Sequence, residues 1–182
     1  MKIVWKNYKI GSLKIEAQIT KYSKGDLKKL GRIYFLWLKL NNLIKKISTR
    51  GINIPEAITE NAFCLIFTDC VRVVKLKGEK CSYDAINTKT GSKIQIKASS
   101  IDEDLTTFGP RSEWDELFFM DFSKGDGSFD IYNIDKKMIY EQKVNLKQTM
   151  TDQQELGKRP RFSIKKIIKL KKIMPVGKGS FT

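Results

Sequence analysis

The sequence predicts an α/β sandwich in which a mixed sheet is flanked by helices. Three observations carry this. Apolar residues recur at helical spacing from 26 to about 47 and again from 55 to 66. Short runs rich in β-branched and aromatic residues, separated by Gly, Asn and Asp, fill 71–134. A basic helical pattern behind a Ser N-cap returns at 163–171.

Taken in order, Asp26 caps a helix running to about Ile47. Leu27, Leu30, Ile33, Tyr34, Trp37, Leu38, Leu40, Ile44 and Ile47 follow its period as a core stripe, and Lys28, Lys29, Lys39, Lys45 and Lys46 supply the solvated face. Pro55 suits the first turn of a second helix and Glu56 its positive end. Ile58, Ala62, Leu65 and Ile66 continue as a buried stripe, and Glu60 lies one turn beyond Glu56. Residues 71–76 alternate as a strand. Residues 82–86 and 93–99 form a hairpin across the polar turn 87–92. Residues 114–122, WDELFFMDF, read as a buried strand, Lys124-Gly125-Asp126-Gly127 as a turn, and 129–134 as the returning strand. Residues 135–143 are helical, 149–157 form a polar loop, and Ser163 caps a final basic helix marked by Ile164, Ile167, Ile168 and Lys171.

A chain of 182 residues fits one domain. Within it, 1–50 is expected as an N-terminal helical part, 51–145 as the core that carries the chemistry, and 146–182 as a basic C-terminal segment. Hydrophobic residues at 41% and charged residues at 30% are ordinary for a globular protein. The net charge of +15 is not, and such a field attracts polyanions, nucleic acid first among them. Histidine is absent, which excludes histidine-dependent metalloprotease, HNH-nuclease and Ser-His-Asp chemistry. Cys64, Cys70 and Cys81 have no zinc spacing; Cys64 and Cys70 read as core residues. The odd cysteine count and the lack of an apolar leader point to a cytoplasmic protein, and no run approaches the roughly 18 apolar residues of a membrane span.

The hairpin carries the chemistry. Alternation puts Gln95 and Lys97 on one strand face and Ile94, Ile96 and Ala98 on the other. The neighbouring strand brings Asp84 beside Gln95. The Asp84 carboxylate and the Gln95 amide oxygen are hard ligands suited to Mg²⁺, and the Ile96 carbonyl adds a third oxygen. Lys97 stands ready to orient a water nucleophile or to stabilise charge on an attacked phosphate. By spacing alone, a solvated hairpin face explains these residues as well.

Asp84, Gln95 and Lys97 resemble the PD-(D/E)XK nuclease motif. Asn53 to Glu60, NIPEAITE, looks like the acidic helix that precedes this motif in small type II restriction endonucleases. Phe108-Gly109-Pro110 with Trp114-Asp115-Glu116-Leu117 resembles the segment that follows it, and Asp152-Gln153-Gln154 with Arg159-Pro160-Arg161-Phe162-Ser163 resembles their C-terminal signature. The subgroup it suggests cuts GC-N-GC sites. The resemblance implies a Mg²⁺-dependent endonuclease acting on double-stranded DNA, a homodimer, and a DNA methyltransferase that protects the host genome. Two departures stand out: Gln95 replaces the usual acid, and Tyr83 rather than Pro precedes Asp84. Glu60 is the candidate for the missing carboxylate, with an exposed helix-face glutamate as its alternative; Glu79 ranks behind it.

Lys158-Arg159-Pro160-Arg161, with Gln153 and Gln154 upstream, forms the expected recognition segment, since Arg forks read guanine and Gln reads several base edges. Arg159 or Arg161 is expected to contact a base, against phosphate anchoring alone. Lys165 and Lys166 are expected to contact the DNA backbone or to lie on a solvated face. Arg111 and Ser112 are candidate contacts near the cut. A structure-specific repair nuclease and a non-catalytic basic nucleic-acid-binding protein are the rival readings.

Overall fold

The computed structural model describes residues 1–10, 13–49, 51–78, 80–102 and 104–182. Among these residues an eight-stranded sheet runs in the order β1 (Lys2–Ile10), β2 (Leu13–Lys21), β3 (Cys70–Leu76), β4 (Ala85–Asn87), β5 (Lys93–Ser99), β7 (Glu116–Asp121), β8 (Ser128–Ile134), β10 (Gly177–Ser180). Its neighbours are antiparallel except β5 and β7, which are parallel. A separate ribbon pairs β6 (Thr106–Thr107) with β9 (Arg161–Phe162). Helices α1 (Asp26–Ile44) and α2 (Glu56–Ile66) cover one face; α3 (Lys136–Tyr140), α4 (Met150–Glu155) and α5 (Ile164–Lys171) cover the other.

Strand alternation explains the two layers. Ile94, Ile96, Phe118 and Met120 pack with Leu30, Tyr34 and Trp37 of α1 and Ile58, Ala62 and Phe63 of α2. Leu117 and Phe119, on the opposite face, pack with Ile164, Ile167 and Ile168 of α5 and with Phe108 and Trp114. Cys64 and Cys70 are buried in the first layer, as expected, and burial pushes both thiols up. The described residues contain no helix long and apolar enough to cross a membrane.

Three expectations change, and one segment without a sequence reading gains a structure. The N-terminal part is not helical alone: β1 and β2 form a hairpin that extends the sheet, with Ala17 opposite Leu76 and Ile19 opposite Val73. Residues 149–157 are not a loop. Thr149 accepts the Asp152 N–H through Oγ1, Asp152 accepts the Thr149 N–H, and this capping box starts α4 over the buried Met150. The glycine-rich end of the chain is a strand, β10. There Gly179 has no room for a Cβ, which would meet Ile66 and Phe129. On α1, Leu30, Tyr34 and Trp37 are buried, but Ile33, Leu40 and Ile47 of the expected core stripe face solvent.

Candidate active site

Asp84 sits just before β4, between β3 and β5. Its carbonyl accepts the Val73 N–H at 2.9 Å and its N–H donates to Ile94 at 2.8 Å. The register pairs Ala85 with Ile94, which brings Asp84 beside Gln95, as the alternation predicts. Gln95 donates its amide Nε2–H to Asp84 Oδ2, and the Ile96 N–H donates to the same oxygen at 2.7 Å. Gln95 is buried, while Asp84 and Lys97 are half-buried. The Lys97 ammonium lies 5.6 Å from the Phe108 ring centroid, and its charge reaches Asp84.

Helix α2 supplies the acids opposite. Pro55 is extended at its N-cap and accepts the Ile58 and Thr59 N–H groups through its carbonyl. Glu60 is buried, and Arg72 of β3 donates Nε–H to it at 2.5 Å. Burial pushes the Asp84 carboxyl up to about 6 against the Ile96 N–H and the Lys97 charge, which pull it down. Burial, and then the Asp84 charge, push Glu60 up to about 7 against Arg72. Glu56 raises both carboxyls and is exposed at the start of α2.

A cleft of about 990 Å³ opens beside this cluster. Glu56, Ile96, Lys97, Asn53, Lys45 and Arg161 are among the residues that line it. Arg161 reaches it because β9 pairs with β6, Thr107 opposite Arg161, while Phe162 stacks on Phe108 with ring centroids 5.3 Å apart. The structure therefore brings Lys97 and Arg161 to one cleft from sites 64 residues apart in the sequence.

The remaining sequence candidates divide. Arg159, Lys158, Lys166 and Arg111 are exposed. Gln154 donates to the Gly109 carbonyl at 2.7 Å and ties α4 to the Phe108–Pro110 loop. Gln153 donates to Gln148 at 3.4 Å. Ser112 accepts the Gly109 N–H through Oγ at 3.0 Å and closes a turn. Lys165 does not lie on a solvated face: it is buried, and its ammonium pairs with Asp102 at 2.8 Å and Asp121 at 3.0 Å. It joins α5 to the end of β7 and to the segment after β5. Glu79 lies outside the described residues. Two residues escaped sequence reasoning. Arg72 carried no motif and is explained only by its register opposite Ala85. Glu56 reads from the sequence as a dipole partner and as part of the acidic helix, one turn before Glu60, but not as a ligand.

The donor set fits a hard divalent cation. Among the described residues, no three Asp, Glu, Cys or His side chains come together closely enough to hold a metal by themselves. A cation here would draw on mixed oxygens: the Asp84 carboxylate, the Gln95 amide oxygen, the Ile96 carbonyl and one carboxylate of α2. Carboxyl groups held above their ordinary range by burial and mutual charge are in the state that a cation relieves.

The model of the Bsp6I restriction endonuclease family matches residues 22–170. The type II restriction enzyme Bsp6I of Bacillus sp. (strain RFL6) is 38% identical over 162 residues, which cover 87% of this chain and 90% of that protein. No solved structure gives a significant match. The match spans the strands around Asp84, both helices of the first layer and the arginine segment, and the chain belongs to the Bsp6I restriction endonuclease family.

Proposed function

We propose that this chain is a Mg²⁺-dependent type II endonuclease of PD-(D/E)XK type that hydrolyses phosphodiester bonds in double-stranded DNA at a short GC-N-GC-like site. The observation that carries the reading is the convergence of Asp84, Gln95 and Lys97 beside a cleft lined by Arg161. The +15 charge supports encounter with DNA. Asp84, Gln95 through its oxygen, and the Ile96 carbonyl would hold the cation. Glu56 supplies the further carboxylate in preference to Glu60, because Glu56 opens onto the cleft and Glu60 is buried against Arg72. Glu60 keeps a role as a neighbouring charge that Arg72 steadies.

A bound divalent cation supplies electrostatic stabilisation to the attacked phosphate. Lys97 orients the water nucleophile and stabilises negative charge on the phosphoryl oxygens from the same strand as Gln95. Phe108 and Phe162 form an apolar wall behind Lys97 and Arg161. Arg161 and Arg159 read guanine edges, with Lys158, Lys166 and Arg111 on phosphates. Gln153, half-buried on α4, is the remaining candidate for a base edge; Gln154 and Ser112 support the loop that carries Arg111. The protein acts as a homodimer, matching the two-fold symmetry of a palindrome, alongside a DNA methyltransferase that protects the same site. The chain forms a single nuclease domain, with 51–145 as its catalytic core and 146–182 as the recognition segment.

The test is digestion of plasmid DNA with Mg²⁺ and with EDTA, followed by sequencing of the ends. Discrete fragments with one shared end sequence support the proposal. Nicking confined to branched substrates assigns the chain to repair, and gel shifts without cleavage in Mg²⁺ leave only binding.

A further inference from the structure

Helix α1 carries a second apolar face that none of the described residues covers. Ile33, Leu36, Leu40, Leu43 and Ile47 recur at spacings of three, four, three and four, and each is between 48% and 88% exposed. The helical turn continues past Ile44, with the Lys45 N–H donating to Asn41 and the Ile47 N–H to Ile44, both at 3.0 Å. The five side chains therefore form one straight seam beside the buried face of Leu30, Tyr34 and Trp37. This 3-4 spacing is the pattern by which one helix packs along another. The exposed apolar surface is on the order of 500 Å², at the upper end of what a monomer leaves bare and most of the roughly 800 Å² per partner of a stable pair.

We infer that this seam is the face on which two copies of the chain pair, α1 against α1. The inference rests on the nuclease reading for its purpose, since cutting both strands of a palindrome takes two sites. Its geometry rests on the seam. The spacing is nearly symmetric about Leu40, with apolar positions four and seven residues before it and three and seven after it. A face of that kind fits its own copy, and a two-fold axis at the seam sets each Leu40 against the other. Asn41 on α1, with Lys45 and Thr49 just past its end, lines the cleft. Pairing therefore fixes the distance between the two clefts through a rigid helix.

Charge makes this pairing conditional. Arg32, Lys39 and Lys46 flank the seam, all exposed, and each chain carries +15. Free copies repel; added salt screens the repulsion, and DNA phosphates neutralise it. The apolar seam and the basic rim together favour a dimer that tightens as salt rises and that forms most readily on DNA. An acidic partner protein would respond to salt in the opposite sense.

The experiment is sedimentation equilibrium of the full chain from about 0.1 to 1 M NaCl, repeated with a duplex oligonucleotide carrying one GC-N-GC site, for the wild type and for Leu36→Glu combined with Leu43→Glu. Both positions are exposed, so circular dichroism should match the wild type, and so should the melting temperature at concentrations where the wild type is monomeric. The expected result is a wild-type dimer whose dissociation constant falls with salt and rises at least tenfold in the double variant. A Leu40→Cys variant, treated with a short bismaleimide, should give a crosslinked pair in much higher yield than the wild type with its native cysteines. A variant that remains dimeric overturns the seam, as does a wild type that is monomeric both free and on DNA, or one whose dimer weakens with salt. The nuclease reading fails separately: Lys97→Ala should remain dimeric without cutting, and a wild type that pairs but never cleaves in Mg²⁺ leaves the seam standing and removes its purpose.

Discussion

Gln95 donates its amide Nε2–H to Oδ2 of Asp84, the oxygen that also accepts the Ile96 N–H. The neutral residue therefore does what a second acid could not do without a cation: it holds Asp84 from within the same strand pair. A carboxylate in its place removes that donor and adds charge beside Asp84, Glu60 and Glu56. We expect Gln95→Glu to lower the metal-free stability by about 1–3 kcal/mol at pH 8, and much less near pH 5, where the acids hold protons. Mg²⁺ should restore more stability to the variant than to the wild type, and cleavage should be kept or raised. Urea unfolding with EDTA and with Mg²⁺ at both pH values measures this; an equal loss under all four conditions would exclude the charge explanation.

Lys97 contributes little to the core, since its neighbours Ile96 and Phe119 carry the packing. Lys97→Ala should abolish cleavage, shift the melting temperature by no more than a few degrees and leave DNA affinity within a few fold. Near-normal cleavage by a folded variant would remove Lys97 from the reaction.

The raised carboxyls set a sign for the pH dependence. Folded Asp84 titrates near 6 and folded Glu60 near 7, both above the range of about 4 expected for the unfolded chain. Between about pH 4 and pH 7 the metal-free native state thus holds more protons than the unfolded state. The stability contributed by these two groups is full below that window and is lost as pH rises through it, at up to about 1.4 kcal/mol per pH unit for each group. Unfolding free energies in EDTA should fall from pH 5 to pH 7.5, and Asp84→Asn with Glu60→Gln should flatten that fall. An unchanged slope in the double variant would place the titrating groups elsewhere.

Arg72 offers a test of Glu60 that needs no metal. Its guanidinium is the cation bonded to a buried carboxylate. Arg72→Ala should cost about 3–5 kcal/mol at pH 8, less at pH 5, and Glu60→Gln should recover much of the loss. If Glu60→Gln fails to rescue Arg72→Ala, the pair does not carry the cost.

Much of the site was legible because strand alternation is rigid. Once 93–99 is a strand and 82–86 its neighbour, Asp84 must lie beside Gln95, and it does, while Lys97, two residues on, reaches Asp84 through its charge. The α2 acids were legible as a helix face, but not in their division of labour: Arg72 binds Glu60 and leaves Glu56 at the cleft, a choice made by the register of β3. Lys165 shows the limit of reading charge as exposure. Its partners Asp102 and Asp121 lie 63 and 44 residues away, and no local pattern announces a buried ion pair. The α4 helix was hidden by its polar composition, although Thr149 and Asp152 stand at capping-box spacing. The seam on α1 was hidden by its periodicity, because a helix with apolar residues on two faces gives the same signal as one with a single broad face.

Arg161 and Arg159 separate positioning from base reading. Both are exposed, but Arg161 lines the cleft with Lys97, whereas Arg159 stands two residues earlier, across Pro160, outside that lining. An arginine that reads guanine should, on replacement by Ala, lose roughly 1–3 kcal/mol of discrimination against the wrong base and little affinity for unrelated DNA. One that binds only phosphate should weaken binding to all sequences alike and reduce the salt dependence by about one counterion. Lys166 is expected in the second group. Lys165 is expected in neither: its replacement should loosen α5 from Asp121 and lower stability before it touches the salt slope, because its ammonium is already paired inside the protein. Competition between a GC-N-GC duplex and a scrambled duplex at two salt concentrations, run for each single variant in Ca²⁺ to suppress cutting, distinguishes these cases. Equal losses on both duplexes for Arg159 and Arg161 would move base reading away from this segment, to the Arg111 loop or to Gln153.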